Sequence, residues 1–177
     1  NPGAIPLTRL KGLTKYGADT VRLFCLFAAP PERDFDWTEA GIDGAYRFVN
    51  RVWRLCEDLE GKLPASYACQ APSADADTPL AREIRLKEHA TVKKATQDIT
   101  QKFQFNTAIA AAMELVNALY LAKDELVQTE NGRKVAASAI ATTITILSPM
   151  IPHVCEELWK LNGMPSLLTG ETWPEYA

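Results

Sequence analysis

The sequence is poor in the residue patterns that most often carry catalysis or metal binding. It contains two histidines, His89 and His153, which lie far apart, and its four cysteines show no Cys-x-x-Cys spacing. This set argues against a zinc site and is typical of reduced thiols in a cytosolic protein. No glycine-rich loop of the phosphate-binding kind is present. We therefore expect neither a catalytic site nor a metal site in this chain.

Several further absences limit the fold class. Alternating β-branched residues are nearly missing, and no apolar run reaches the roughly 18 to 20 residues of a membrane span. The first residues lack the layout of a signal peptide and do not include an initiating methionine, so we expect a fragment or a processed product. The net charge of -3 creates no global basic field that would indicate a nucleic-acid partner.

Helical periodicity, by contrast, recurs along the sequence, and capping signals divide it into six helices. A good N-cap precedes the second helix at Thr38, Asn106 is predicted to cap the fourth, and Pro152 fits the first turn of the sixth. The pattern predicts an all-α, antiparallel helical bundle. The predicted helices span about residues 18–28, 38–60, 80–104, 106–120, 132–147 and 152–163.

One region breaks this helical pattern. Residues 62–79 are rich in Pro, Ala and Ser, and they are predicted to form a flexible connector inside one domain. The chain is therefore divided into an N-terminal segment, residues 1–14, and one bundle, residues 15–177, that contains this connector.

The second helix has two contrasting faces. Its apolar residues share one broad arc on a helical wheel, and Arg47, Arg51 and Arg54 fall on the opposite side. One interpretation is a solvated face whose charge is balanced by Glu57 and Asp58. The other is contact with nucleic-acid phosphates, which positions the nucleic acid without reading its sequence.

The third helix carries a similar polar stripe formed by Arg82, Arg85, His89 and Lys93, for which the same two interpretations hold. No obvious aromatic platform for splayed bases accompanies either stripe.

Two shorter spacings suggest local contacts. Asp19 and Arg22 are three residues apart on the first helix and fit a surface ion pair. His153 and Glu157 are four apart on the sixth helix, whereas Cys155 points away from both. We interpret this second group as the packing and dipole complement of a helix start rather than as a nucleophile cluster.

Four strings resemble one known family. They are KYGADTVRLF at 15–24, AAPPERDFDWTEAGIDGAYRFVNRVWRL at 28–55, EHATVKKATQDITQKFQFNTAIAAAMELVNAL at 88–119 and SPMIPHVCEELW at 148–159. Together they resemble the tRNA-binding helical bundle of bacterial leucyl-tRNA synthetases, which are class I aminoacyl-tRNA synthetases. The resemblance covers about residues 15–174, while residues 1–14 match poorly. The HIGH and KMSKS strings of the family are absent from the sequence.

The resemblance implies a bundle of the class I anticodon-binding type that docks the tRNA backbone and is inactive by itself. Its parent would be a cytoplasmic, monomeric ligase that attaches leucine to tRNA-Leu with ATP and Mg²⁺. Partners would be tRNA-Leu and the missing catalytic and C-terminal domains, with no membrane. The residues expected to contact tRNA are Arg47, Arg51 and Arg54, followed by Arg85 and Lys93. Asp19 and Arg22 are expected to brace the bundle against the missing catalytic domain.

Two alternatives stay open at this point. The chain could be the equivalent bundle of a valyl- or isoleucyl-tRNA synthetase. It could also be a helical protein-interaction module without any RNA role, which the net negative charge favours slightly.

Overall fold

The computed structural model of the chain describes residues 14–30, 32–34, 36–64 and 71–176. Residues 1–13 of the predicted N-terminal segment and residues 65–70 of the predicted connector lie outside the described residues. Within the described ranges the long elements are all α-helices and no strand occurs, which confirms the predicted all-α bundle. The helices are α1 Ala18–Ala28, α2 Glu39–Leu59, α3 Pro79–Lys102, α4 Phe105–Leu126, α5 Glu130–Leu147 and α6 Pro152–Leu161.

Three of the helices begin with the same capping device. The hydroxyl oxygens of Thr38, Thr78 and Thr129 accept hydrogen bonds from the backbone N–H three residues further on, at 3.2, 3.2 and 2.9 Å. Each bond satisfies one of the N–H groups that a helix start leaves without a partner. The prediction for Thr38 is confirmed. The fifth predicted helix, in contrast, starts at Glu130, so the Asn131-Gly132 pair lies inside its first turn.

α4 is the central helix of the bundle. It packs against α1, α2, α3 and α5, and small residues such as Ala108 and Ala112 are fully buried along it. By length and composition α4 is apolar enough to cross a membrane. Its position at the centre of the core accounts for the same composition, because apolar residues are needed on several sides of a helix that has four neighbours.

α6 ends at Leu161, close to the predicted boundary at residue 163. Gly163 adopts a positive φ of 74°, its N–H donates to the Lys160 carbonyl, and the Met164 N–H donates to the Trp159 carbonyl. These two bonds form a Schellman motif, which favours glycine because a side chain strains the left-handed conformation.

The corner between α3 and α4 depends on the buried Asp98. Its carboxylate accepts hydrogen bonds from Lys94 at 2.8 Å, Lys102 at 3.1 Å and the Thr107 hydroxyl at 2.6 Å. Burial alone would raise the pKa of this carboxyl, but the hydrogen bonds from the two lysines and the hydroxyl outweigh that effect and lower the pKa to about 2.

This corner overturns two local predictions. Phe103 adopts a left-handed conformation with φ 52°, so α3 stops at Lys102 rather than at 104. Phe103 itself is 63% exposed. Asn106 does not cap α4, since the helix already begins at Phe105 and no side chain caps it. The Asp98 contacts close the turn instead.

A second corner, between α5 and α6, is held by residues of α1. One carboxylate oxygen of Asp19 accepts a hydrogen bond from the Val154 N–H at 2.7 Å, in the first turn of α6, and the other contacts His153 Nδ1 at 2.8 Å. Arg22 donates to the carbonyls of Pro149 and Met150 at 2.9 and 3.1 Å. Asp19 and Arg22 therefore bind the same turn of this chain, and the described structure pairs neither with the other, as the surface-pair interpretation would require.

We expect Asp98→Asn to lower the free energy of unfolding at pH 7 by about 1–2 kcal/mol, because the lysines lose the negative charge that they face. The pKa of about 2 in the folded chain is lower than the usual value near ~3.9. The stabilisation is therefore complete above about pH 4 and is lost as the pH falls through about 2. Urea unfolding of the unmodified chain and of the Asp98→Asn variant between pH 7 and 2.5 measures this stabilisation. Asp124→Asn, which changes an exposed carboxylate on α4, is the matched control. A difference that stays constant at low pH contradicts this account.

We expect Asp19→Ala to lower the free energy of unfolding by about 1–2 kcal/mol, because the first turn of α6 loses its only side-chain acceptor in the described part of the chain. Thermal unfolding followed by circular dichroism measures the change. Glu157→Ala removes an exposed carboxylate from the same helix and should change stability by less than about 0.5 kcal/mol. Equal effects of the two substitutions would contradict the capping role.

Candidate nucleic-acid interface

The outward face of α2 carries three exposed arginines. Arg47, Arg51 and Arg54 all lie on the solvent side, while the opposite face of α2 belongs to the core, as the sequence predicts. Desolvation strongly disfavours a buried guanidinium without a partner, so this orientation of the helix is the stable one. The buried residues are Ile42, Ala45, Phe48, Val49, Val52, Leu55, Cys56 and Leu59.

The three arginines line one groove of about 510 Å³ on the surface between α2 and α4. Tyr46 and Asn50 of α2 and Tyr120 of α4 complete its lining. We call it the arginine groove. It combines cationic, aromatic and amide groups, which are the groups that contact phosphates, sugars and bases in protein–nucleic acid complexes.

Tyr120 holds Arg51 in place within the groove. The guanidinium carbon of Arg51 lies 4.7 Å from the centre of the Tyr120 ring, and Lys123 Nζ lies 4.6 Å from the same centre. Both distances are within the range of a cation–π contact. An arginine that is already ordered loses less side-chain entropy when it binds an anion.

The neighbouring carboxylates do not neutralise the arginine groove. Glu57 accepts a hydrogen bond from Trp53 Nε1 at 2.8 Å, and Asp58 pairs with Lys123 across to α4. Among the described residues no carboxylate forms an ion pair with any of the three groove arginines. A positive region therefore persists on a chain whose net charge is -3.

Arg85 and Lys93 lie outside the arginine groove. Arg85 lines a separate depression of about 410 Å³ together with Arg82, His89 and two aspartates, and its Nε lies 3.4 Å from Asp77. Lys93 is exposed on α3 and lines neither depression. The structure thus brings together three of the five predicted contact residues and leaves the other two elsewhere.

The thiols and histidines that the structure describes do not form a reactive cluster. Burial raises the pKa of the Cys56 thiol to about 12 and raises that of Cys155 well above its usual value. Thiols in such surroundings carry little thiolate, the form that attacks electrophiles. His153 contacts Asp19 rather than Glu157. In the described ranges no group of three or more His, Cys, Asp or Glu side chains could hold a metal ion.

Sequence patterns did not identify the tyrosines of the groove. Tyr120 follows the spacing of three and four residues along α4, and the structure places it half-buried at the groove wall. Tyr46 is adjacent to Arg47 and is 42% exposed. The neighbouring positions of Tyr46 and Arg47 on an exposed helix face are a local signal for Tyr46, but only the packing of α2 on α4 reveals Tyr120.

The chain belongs to the family of anticodon-binding domains of tRNA ligases, whose profile matches residues 81–177. The helical architecture described above agrees with this assignment, and the resemblance noted in the sequence is confirmed.

The individual relatives that the chain resembles are ligases specific for leucine. The chain is 64% identical over 164 residues to the leucine–tRNA ligase of Nitratidesulfovibrio vulgaris (strain DP4) and 53% identical over 161 residues to that of Lawsonia intracellularis. These matches cover 93% and 91% of the chain but only 20% and 19% of the relatives. The chain therefore spans about a fifth of the length of these relatives. It is similar to leucine-specific members, as predicted.

A solved structure extends the similarity to the fold. The LeuRS of Agrobacterium radiobacter K84 agnB2, in a ternary complex with tRNA and LeuAMS, has a TM-score of 0.83 to this chain with 31% sequence identity. The match covers 94% of this chain and 21% of that one.

Proposed function

We propose that this chain is the tRNA-docking part of a leucine–tRNA ligase and that the arginine groove binds phosphates of tRNA-Leu. The observation that carries the proposal is the row of exposed guanidinium groups, Arg47, Arg51 and Arg54, for which the described residues supply no carboxylate partner. Unpaired cations in an ordered row favour a polyanion. The similar LeuRS was solved with tRNA bound, which supports the same class of ligand here.

Arg85 and Lys93 are proposed as secondary phosphate contacts on α3. Arg85 is less available, because Asp77 lies within ion-pair distance of it. Lys93 is exposed and adds one positive charge to the same helix. We therefore assign them smaller contributions than the groove arginines.

The parent protein, on this proposal, attaches leucine to tRNA-Leu with ATP and Mg²⁺. The present chain has no HIGH or KMSKS string and no metal-holding cluster in its described part, so its residues do not fit ATP with Mg²⁺, and that chemistry belongs to the catalytic part of the parent. We further propose a cytoplasmic, monomeric parent in which residues 15–177 form one docking bundle and contact the catalytic and C-terminal domains.

We expect Arg47→Ala/Arg51→Ala/Arg54→Ala to weaken binding of tRNA-Leu at least about tenfold at low salt, because each lost phosphate contact also removes a counterion-release term. Fluorescence anisotropy with labelled tRNA-Leu measures the affinity, and a salt series should show a slope lower by about 1 for each contact removed. The free energy of unfolding should change by less than about 1 kcal/mol, since exposed charges contribute little.

The matched control is Lys87→Ala/Lys134→Ala/Lys160→Ala. It removes the same charge from three lysines that form exposed ion pairs elsewhere. Equal binding by the two triple variants would show that only net charge matters and would refute the groove. Absence of tRNA binding by the unmodified, folded chain at low salt would instead favour the interaction module without an RNA role.

A further inference from the structure

A second groove opens beside the arginine groove, and four of its lining residues carry rings. It has a volume of about 520 Å³ and lies between α1, α2 and α6. Its rings come from Tyr16, Tyr46, Trp53 and His153. We call it the aromatic cleft. The sequence was predicted to lack an obvious aromatic platform, and these rings come together only through the packing of separate helices.

Hydrogen bonds hold the rings of the aromatic cleft at their polar atoms. The Tyr16 hydroxyl donates to Asp43, Trp53 Nε1 donates to Glu57 at 2.8 Å, and His153 Nδ1 contacts Asp19 at 2.8 Å. The rings of Tyr16 and Tyr46 meet edge to face, with 5.4 Å between their centres. Rings fixed in this way are preorganised, so a planar ligand entering between them orders few additional side chains.

The rings are also accessible from solvent. Tyr46 is 42% exposed, and the His153 side chain is 80% exposed, while Tyr16 and Trp53 are partly buried against the core. The cleft is thus open on one side and fixed on the other.

The two grooves are continuous along α2. Tyr46 and Asn50 line both of them. Residues 46, 50 and 53 of the helix line the cleft, and the guanidinium groups of the arginine groove belong to residues 47, 51 and 54. Both sets follow the same helical spacing, so each guanidinium neighbours a cleft residue over about 10 Å of the helix axis. A ligand that lies across α2 would contact both grooves.

We propose that the aromatic cleft receives an unpaired nucleobase of the RNA whose phosphates bind the arginine groove; the inference rests on the proposed function. Single-stranded nucleotides are bound by proteins through this same combination, in which cations follow the backbone and aromatic rings stack with the bases. The adjoining row of unpaired cations favours a polyanionic occupant over a second polypeptide segment.

The test compares two oligonucleotides with equal phosphate number: an octamer of adenylate and the same backbone without bases. At low salt the unmodified chain should bind the adenylate octamer at least about fivefold more tightly. Stacking of one base on an aromatic ring increases the affinity by about that ratio or more. This comparison needs no variant. Fluorescence anisotropy with end-labelled oligonucleotides measures both affinities.

Variants then locate the base. Tyr46→Leu should bring the ratio close to one without changing the salt dependence, whereas Tyr46→Phe, which keeps the ring, should preserve the ratio. The triple arginine variant should weaken both oligonucleotides and reduce the salt slope. Circular dichroism confirms that each variant is folded.

The outcomes separate this inference from phosphate docking. Equal affinity of the unmodified chain for the two oligonucleotides overturns the nucleobase site, and this is the result expected if the cleft takes a protein segment. A ratio that survives in a folded Tyr46→Leu variant overturns it as well. In both cases weaker tRNA binding by the triple arginine variant would leave phosphate docking intact, whereas unchanged tRNA binding would refute both proposals.

Discussion

Burial of the apolar face of α2 is the constraint from which the proposed binding surface follows. Residues such as Ile42, Val52 and Leu55 are almost completely buried in the core. A rotation of the helix by one residue would bring arginines toward the apolar core, where desolvation of a charge costs several kcal/mol. Core packing therefore fixes both the direction of the guanidinium row and the position of the rings beside it, since both lie at fixed angles from the same apolar arc.

Local electrostatics explain how an acidic chain can present a cationic surface. Glu57 and Asp58 are close in sequence to Arg54, and their charges could have neutralised the row. The structure directs them to Trp53 and Lys123 instead. These contacts also fix the Trp53 ring and connect α2 with α4. The same hydrogen bonds therefore order the helices and leave the arginines available, which links stability of the bundle to its proposed function.

The features that could be predicted from the sequence were those that depend on local periodicity. The buried face of α2, its Thr38 cap and the exposed arginine row follow from spacings of three and four residues and from one capping residue. The connections that depend on distant residues could not be read in this way. Asp19 and Val154 are 135 residues apart in sequence, and no local pattern predicts their contact. The aromatic cleft and Tyr120 of the arginine groove also require the packing of separate helices.

Chemical footprinting of the arginines tests the central claim most directly, because it needs no substitution. The chain is treated with phenylglyoxal at low salt with and without tRNA-Leu, and modification of each arginine is followed by mass spectrometry. The account predicts that RNA slows modification of Arg47, Arg51 and Arg54, while exposed Arg33 and Arg133 react as before. Unchanged reactivity of the three groove arginines under conditions where tRNA is bound would contradict it.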